Sequence, residues 1–137
     1  LQKYEIKKKF MKNIDAGKVR LMGVLSNDKL AYEYKKYKFY ILISHLEGMS
    51  KTLMEAMASG LVCIVSKIPQ NESLIKHGET GILVNGSSKK DISNALEELN
   101  QFNLNEISKN AEKFISSNFS LPKICQNELN NINEVLK

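Results

Sequence analysis

Residues 39–66 read FYILISHLEGMSKTLMEAMASGLVCIVS, and this stretch decides the fold. Two apolar runs, at 39–43 and 61–65, have the continuous hydrophobic character of buried parallel strands. Between them a short polar loop leads into a helix predicted over 51–59, which Gly60 ends. A strand, a loop, a helix and a second strand in this order predict one unit of a parallel α/β sheet.

Two carboxylates flank the start of this helix. Glu47 and Gly48 occupy the loop, and Glu55 follows in the first turns of the helix. In an open parallel sheet, ligands bind at the carboxyl ends of the strands, where this loop lies. A helix N-terminus offers unpaired N–H groups to phosphate, and a carboxylate accepts hydrogen bonds from sugar or ribose hydroxyls. The stretch therefore predicts a site for a ligand that carries phosphate and hydroxyl groups.

The rest of the chain continues the alternation of helices and strands. The predicted elements are a helix over 2–15 stopped by Gly17, a strand over 19–23, helices over 27–36 and 71–77, a strand over 82–84, and helices over 88–101, 104–117 and 121–136. This order predicts an α/β fold in which helices cover both faces of a parallel sheet and the C-terminus is helical.

Length and composition limit the classes of protein that this chain can represent. A chain of 137 residues is long enough for one domain with a sizeable core. It has no apolar run of about 18 residues and no signal-peptide pattern, so we expect a cytoplasmic protein. Cys63 and Cys125 stand alone without metal-ligand spacing, so we expect no metal site.

The net charge of +5 is concentrated at one end, because residues 1–38 hold eleven Lys and Arg against four Asp and Glu. Such an end could attract nucleic acid, a membrane surface or an anionic ligand. The chain has no basic motif interleaved with aromatic residues, so we expect no nucleic-acid partner.

The motif around the helix resembles that of a known family. Glu47, seven further residues, Glu55 and the following Ala-Met-Ala-Ser-Gly resemble the E-x7-E motif of family 4 (group 1) glycosyltransferases. Residues 19–23 resemble the family's V-x-F-x-G stretch, and residues 68–84 resemble its E-x-I-x-x-G-x-x-G-x-L-V stretch. The resemblance covers roughly residues 15 to 120.

The resemblance implies a retaining enzyme of the GT-B fold that transfers a hexose from a nucleotide-sugar to a glycan or lipid-linked acceptor. The donor would be a UDP-, GDP- or ADP-sugar, with no further cofactor. Residues 1–137 would form one domain, a partial Rossmann-like C-terminal lobe that lacks its first two strands and the N-terminal acceptor lobe. Such a fragment would be inactive alone, and the enzyme could contact the inner face of the membrane.

The family also implies a role for each matching residue. Glu47 would be the catalytic residue that meets the transferred sugar, and Glu55 would bind the nucleotide ribose. Backbone groups at the helix start would hold the donor sugar and phosphate, at Gly48, Met49, Ser50, Lys51 and Thr52. The nucleobase pocket would be lined by Gly23, Val24 and Leu25.

Simpler interpretations of the same residues stay open at this point. Thr52-x-x-Glu55 also fits a capping box, in which the carboxylate serves only the helix. Glu47 could be a solvated loop residue, and residues 23–25 a plain strand end. Three other functions remain: another GT-B enzyme such as a nucleotide-sugar epimerase, a non-catalytic binding or interaction fragment, and a basic nucleic-acid module.

Overall fold

The computed structural model describes residues 11–46, 48, 50–120 and 122–123. The chain divides into two compact units, Leu1–Leu30 and Ala31–Lys137. Each unit is described by itself below.

The first unit contains a helix whose end follows from one glycine. Residues 11–15 are helical, and the part of the predicted helix that precedes them lies outside the described residues. Gly17 adopts a left-handed φ of +69°, which is favourable for a residue without a Cβ. Its N–H donates to the Ile14 carbonyl at 2.9 Å, and the Lys18 N–H donates to the Asn13 carbonyl at 2.8 Å. This pair of bonds is a Schellman motif, so the predicted stop at Gly17 is confirmed.

The strand predicted over residues 19–23 is wrong, because these residues adopt no strand structure. A strand needs a ladder partner for its backbone groups, but the Val19 N–H is already bonded to the Asn13 carbonyl at 3.1 Å. Gly23 then takes a left-handed φ of +70°, which interrupts an extended backbone. The apolar side chains of this segment remain partly exposed, Leu21 among them.

The following elements are helices α1 (Asn27–Tyr34), α2 (Lys51–Ala58), α3 (Pro69–Glu72), α4 (Lys89–Glu97) and α5 (Leu104–Asn118), a 3₁₀ helix (Glu98–Gln101), and strands β1 (Phe39–Leu42), β2 (Val62–Ser66) and β3 (Ile82–Val84). Helix α3 begins earlier than the predicted 71–77, because Pro69 fits the first turn of a helix. It is also shorter than predicted. Of the helix predicted over 121–136, residues 122–123 are helical and the others lie outside the described residues.

The three strands form one parallel sheet in the order β1-β2-β3. Phe39 pairs with Val62, and Ile64 pairs with Ile82. Every residue of β2 is buried, which requires cover on both faces of the sheet. The predicted α/β fold with a parallel sheet surrounded by helices is therefore confirmed.

The core joins the central strand to the helices that follow it. Its buried members come from β2, β3, α4 and α5: Val62, Ile64, Ile82, Val84, Ala95 and Ile107. Burying each of the valine and isoleucine side chains contributes about 1.5–3 kcal/mol. These side chains pack β2 and β3 against α4 and α5.

Gly60 connects α2 to β2 by a second Schellman motif. It has a φ of +76°, its N–H donates to the Met57 carbonyl at 3.1 Å, and the Leu61 N–H donates to the Ala56 carbonyl at 3.1 Å. The Ser108 hydroxyl of α5 donates to the Gly60 carbonyl at 2.6 Å. The predicted helix stop at Gly60 is confirmed, and the C-terminal end of α2 is anchored.

Candidate functional site

The start of α2 lies after the loop that follows β1, at the carboxyl end of the sheet. Ser50 is the N-cap: its backbone is extended, and its Oγ accepts a hydrogen bond from the Leu53 N–H at 3.3 Å. The N–H groups of Lys51 and Thr52 belong to the first turn, where a helix offers no acceptor of its own. This end of α2 therefore presents backbone donors and a positive dipole end, which suit an anion.

The Thr52 side chain faces β1. Its Oγ1 lies 2.9 Å from the Tyr40 hydroxyl and 3.2 Å from the Ser50 Oγ. The Tyr34 hydroxyl donates to the Thr52 carbonyl oxygen at 3.4 Å. The first turn of α2 is therefore held from β1 and from the end of α1.

Glu55 is not part of a capping box. With Ser50 as the cap, Glu55 is the fifth helical residue, whereas a capping box needs the carboxylate at the third. Its side chain is one-third exposed, and its Oε1 lies 3.5 Å from the Lys51 Nζ. The competing interpretation of Thr52 and Glu55 is wrong, and the carboxylate stands one turn below the helix start.

Tyr34, whose hydroxyl reaches the Thr52 carbonyl, is buried. Burial raises the pKa of Tyr34 to about 12, with smaller increases from the nearby Tyr40 and Glu55. The Tyr34 phenol therefore stays protonated to a higher pH than an exposed tyrosine and remains a hydrogen-bond donor to the Thr52 carbonyl. The rings of Tyr34 and Tyr40 meet edge to face, with centroids 6.0 Å apart.

The loop after β1 is tied to the neighbouring strand ends by polar contacts. The Ser44 N–H donates to the Ser66 Oγ at 2.8 Å, and Ser66 is buried. The buried Asn71 amide donates to the Ser66 carbonyl at 2.8 Å. Beyond β3, the Ser87 Oγ lies 3.3 Å from the His45 Nε2. Sequence reasoning missed Ser66 and Asn71. Ser66 is the polar residue that ends the apolar run 61–65, whereas the residues before Asn71 form no such run.

The described residues place four members of the predicted site on one helix. Ser50, Lys51, Thr52 and Glu55 lie within two turns of one helix. Glu47 and Met49 lie outside the described residues, and Gly48 between them is exposed.

The predicted nucleobase segment belongs to the other compact unit. Gly23 has a left-handed φ of +70°, and the Val24 side chain is fully exposed. Gly23, Val24 and Leu25 adopt no strand structure, so the alternative interpretation of these residues as a plain strand end is wrong.

Two residues of the segment 68–84 have structural partners. The His77 Nδ1 accepts a hydrogen bond from the Leu83 N–H at 3.0 Å, and its ring packs edge to face on Phe102. Glu72 lies 4.0 Å from the Lys67 Nζ. His77 thus supports the start of β3.

Within the described part of the chain, no three His, Cys, Asp or Glu side chains are grouped so as to hold a metal ion. No helix in the same part is long and apolar enough to cross a membrane.

Two relatives show the extent of sequence similarity. The UDP-Gal:alpha-D-GlcNAc-diphosphoundecaprenol alpha-1,3-galactosyltransferase of Escherichia coli is 35% identical over 85 residues, 61% of this chain and 22% of that protein. The GtfA subunit of the UDP-N-acetylglucosamine–peptide N-acetylglucosaminyltransferase of Streptococcus agalactiae is 34% identical over 117 residues, 80% of this chain and 22% of that protein. The chain therefore spans about a fifth of the length of these relatives.

Solved structures share the fold at low sequence identity. Sucrose-phosphate synthase from Thermosynechococcus elongatus matches 98% of this chain and 34% of its own, with a TM-score of 0.82 and 19% identity. The pneumococcal O-GlcNAc transferase GtfA, in complex with UDP and GlcNAc, matches 97% of this chain and 27% of its own, with a TM-score of 0.78 and 22% identity. The C-terminal domain of a group 1 glycosyl transferase from Francisella tularensis matches 85% of this chain and 64% of its own, with a TM-score of 0.69 and 22% identity.

The family model described as "Glycosyl transferases group 1" matches residues 2–115, which include the whole sheet and α2. Because this match covers far more than half of the chain, the protein belongs to the group 1 glycosyltransferase family.

Proposed function

We propose that this chain is the donor-binding C-terminal lobe of a retaining family 4 glycosyltransferase, which transfers a hexose from a nucleotide-sugar to a glycan or lipid-linked acceptor. The observation that carries the proposal is the geometry of α2 within a family match over residues 2–115. Its Ser50-capped start lies at the carboxyl end of the sheet, with the Glu55 carboxylate one turn away. Phosphate and ribose are the groups that these two features suit.

Each proposed role follows from charge and position. Glu47 would accept hydrogen bonds from hydroxyls of the transferred sugar, and Glu55 from the ribose. Backbone N–H groups around the start of α2, from Gly48 to Thr52, would hold the sugar and diphosphate. Residues 23–25 would line the nucleobase pocket.

Catalysis would consist of positioning and electrostatic stabilisation. The bond between the sugar and the nucleoside diphosphate breaks as negative charge grows on the leaving phosphate. The fixed N–H groups and dipole of α2 stabilise that charge without reorganising, and Lys51 adds a nearby cation. This scheme needs no cofactor and no metal from the protein.

A UDP-sugar is the favoured donor. The Escherichia coli relative is named for UDP-Gal, and the pneumococcal neighbour was solved with UDP and GlcNAc. The diphosphoundecaprenol in the name of the Escherichia coli relative supports a lipid-linked acceptor in polysaccharide biosynthesis. Such an acceptor would bring a cytoplasmic enzyme to the inner face of the membrane.

We further propose that residues 1–137 belong to one lobe of a two-lobed enzyme, the lobe that binds the donor. The similarity to a structure described as a C-terminal domain supports this division. The catalytic cleft of a two-lobed enzyme lies between its lobes, so we expect this chain alone to transfer no sugar.

The test is ligand-observed NMR of this chain with UDP, GDP, ADP and their sugars, in parallel with Glu55→Gln. We expect one nucleotide to bind selectively and the variant to lose most of that binding, because an amide is a weaker acceptor for ribose hydroxyls than a carboxylate. Glu79→Gln is the matched control, because Glu79 is exposed and pairs only locally with Lys76.

Two results would count against the proposal. If no nucleotide binds while the protein spectrum is well dispersed, the proposal of a donor site in this folded chain is refuted. Equal binding by the wild type and by Glu55→Gln would leave a nucleotide site but refute the role of Glu55.

A further inference from the structure

Three hydroxyl groups connect β1 to the cap of α2. The Tyr40 hydroxyl lies 2.9 Å from the Thr52 Oγ1, which lies 3.2 Å from the Ser50 Oγ. The Ser50 Oγ in turn accepts from the Leu53 N–H at 3.3 Å. We call Tyr40, Thr52 and Ser50 the hydroxyl chain.

The hydroxyl chain fixes the rotamers of its members. A hydroxyl has one proton to donate and lone pairs to accept with. The Ser50 Oγ uses a lone pair for the Leu53 N–H, so its own proton can go to the Thr52 Oγ1. Tyr40 can complete the chain as donor or acceptor. A serine N-cap needs none of these further contacts, so the chain adds rigidity beyond simple capping.

A second contact reaches the same residue from another direction. The buried Tyr34 donates to the Thr52 carbonyl at 3.4 Å and packs edge to face against Tyr40. Thr52 is therefore held both at its side chain and at its backbone. Helix ends otherwise fray, and α2 has only eight residues.

We infer that Tyr40 is a positioning residue for the donor diphosphate, and this inference rests on the proposed function. Tyr40 acts through Thr52 and Ser50, which hold the first turn of α2 so that its backbone N–H groups point at one place. Donors that are fixed before the ligand arrives bind and stabilise an anion better than donors that must be ordered. Tyr40 itself contacts no part of the donor in this scheme.

The experiment compares Tyr40→Phe with Tyr37→Phe in this chain. Both variants lose one phenolic hydroxyl, but Tyr37 is exposed and lies outside the hydroxyl chain. Two quantities are measured: amide hydrogen exchange of Leu53 without ligand, and the dissociation constant for UDP. We expect Tyr40→Phe to raise the exchange rate and the dissociation constant about fivefold each, as for the loss of one hydrogen bond, and Tyr37→Phe to change neither.

Variants of Thr52 separate positioning from general stability. Thr52→Val lacks the hydroxyl, and we expect it to match Tyr40→Phe, with no further loss in the double variant. Thr52→Ser keeps the hydroxyl, and we expect it to restore UDP binding. Additive losses, or a Thr52→Ser variant as weak as Thr52→Val, would overturn the inference.

The two readouts distinguish the possible failures. Normal Leu53 exchange and UDP binding in Tyr40→Phe would overturn the inference and leave the proposed function intact. Faster exchange with unchanged UDP binding would show a structural brace that does not serve the donor, which also overturns it. If the wild type binds no nucleotide, the proposed function fails and the inference fails with it.

Discussion

The loss of the Ser66 hydroxyl should loosen the loop between β1 and α2, which carries part of the proposed site. The Ser66 Oγ accepts the hydrogen bond of the Ser44 N–H at 2.8 Å, at the point where the chain leaves β1 for that loop. Ser66→Ala removes this acceptor and leaves the Ser44 donor without its protein partner. The Ser66 carbonyl contacts to Ile68 and Asn71 stay in place, so the change is confined to the loop side.

The size of the effect follows from the burial of the two groups. An unsatisfied buried donor costs about 1–3 kcal/mol. Ser66 is 4% exposed, but Ser44 is only half-buried, so water can partly replace the lost acceptor. We therefore expect a loss of about 1–1.5 kcal/mol in the free energy of unfolding, equivalent to about a tenfold increase in opening of the Ser44 amide.

The assay is urea unfolding combined with amide hydrogen exchange at Ser44, with Ser116→Ala as the matched control. Ser116 is an exposed helical serine whose hydroxyl donates to the Lys113 carbonyl of its own helix, so its loss should change stability by less than about 0.5 kcal/mol. UDP binding should weaken in Ser66→Ala and not in Ser116→Ala. Unchanged Ser44 exchange in Ser66→Ala would refute the reasoning, because the Ser44–Ser66 hydrogen bond would then contribute nothing to the stability of the loop.

Three further predictions concern catalysis, pH and backbone strain. In the complete enzyme, Glu47→Ala should lower transfer about a hundredfold and Glu55→Gln at least about tenfold without unfolding it, and wild-type turnover in both would refute the site. Burial raises the pKa of Tyr34 from 10.0 to about 12, so the Tyr34 phenol ionises at a lower pH in the unfolded chain than in the folded one. Its contribution to the free energy of unfolding should therefore fall as the pH rises from 10 to 12. Tyr34→Phe should remove that part of the fall in alkaline urea titrations, and an identical slope in both proteins would contradict the shift. Gly78→Ala should cost about 2 kcal/mol in thermal unfolding, because Gly78 has a φ of +77° and its added Cβ would lie 2.9 Å from Phe102; a neutral change would contradict this.

The β1-α2-β2 unit could be predicted because its signals are local. Each strand is one unbroken apolar run, and the helix between them ends at a glycine that takes a left-handed conformation. These features need no knowledge of distant residues. The strand predicted at 19–23 was wrong because a local pattern was not enough. Its apolar residues resemble a strand, but a strand also needs a neighbouring strand as hydrogen-bond partner, which the local sequence does not reveal.

The arrangement of the site was less predictable because distant contacts create it. Thr52 and Glu55 have the spacing of a capping box, and only the structure shows that Ser50 begins the helix and that Thr52 turns towards Tyr40, twelve residues earlier. The Ser44–Ser66 contact joins residues that are twenty-two positions apart.

The motif that identifies the family therefore does not contain everything that shapes its site. The residues from Glu47 to Glu55 include both carboxylates and the helix start, but the first turn of that helix is hydrogen-bonded by Tyr34 and Tyr40, which precede the motif. The course of the loop depends on Ser66, which follows it. On the proposed function, a substitution outside the motif is therefore expected to weaken donor binding as well, although less than the loss of either carboxylate, since preorganised N–H groups lose their advantage once their support moves.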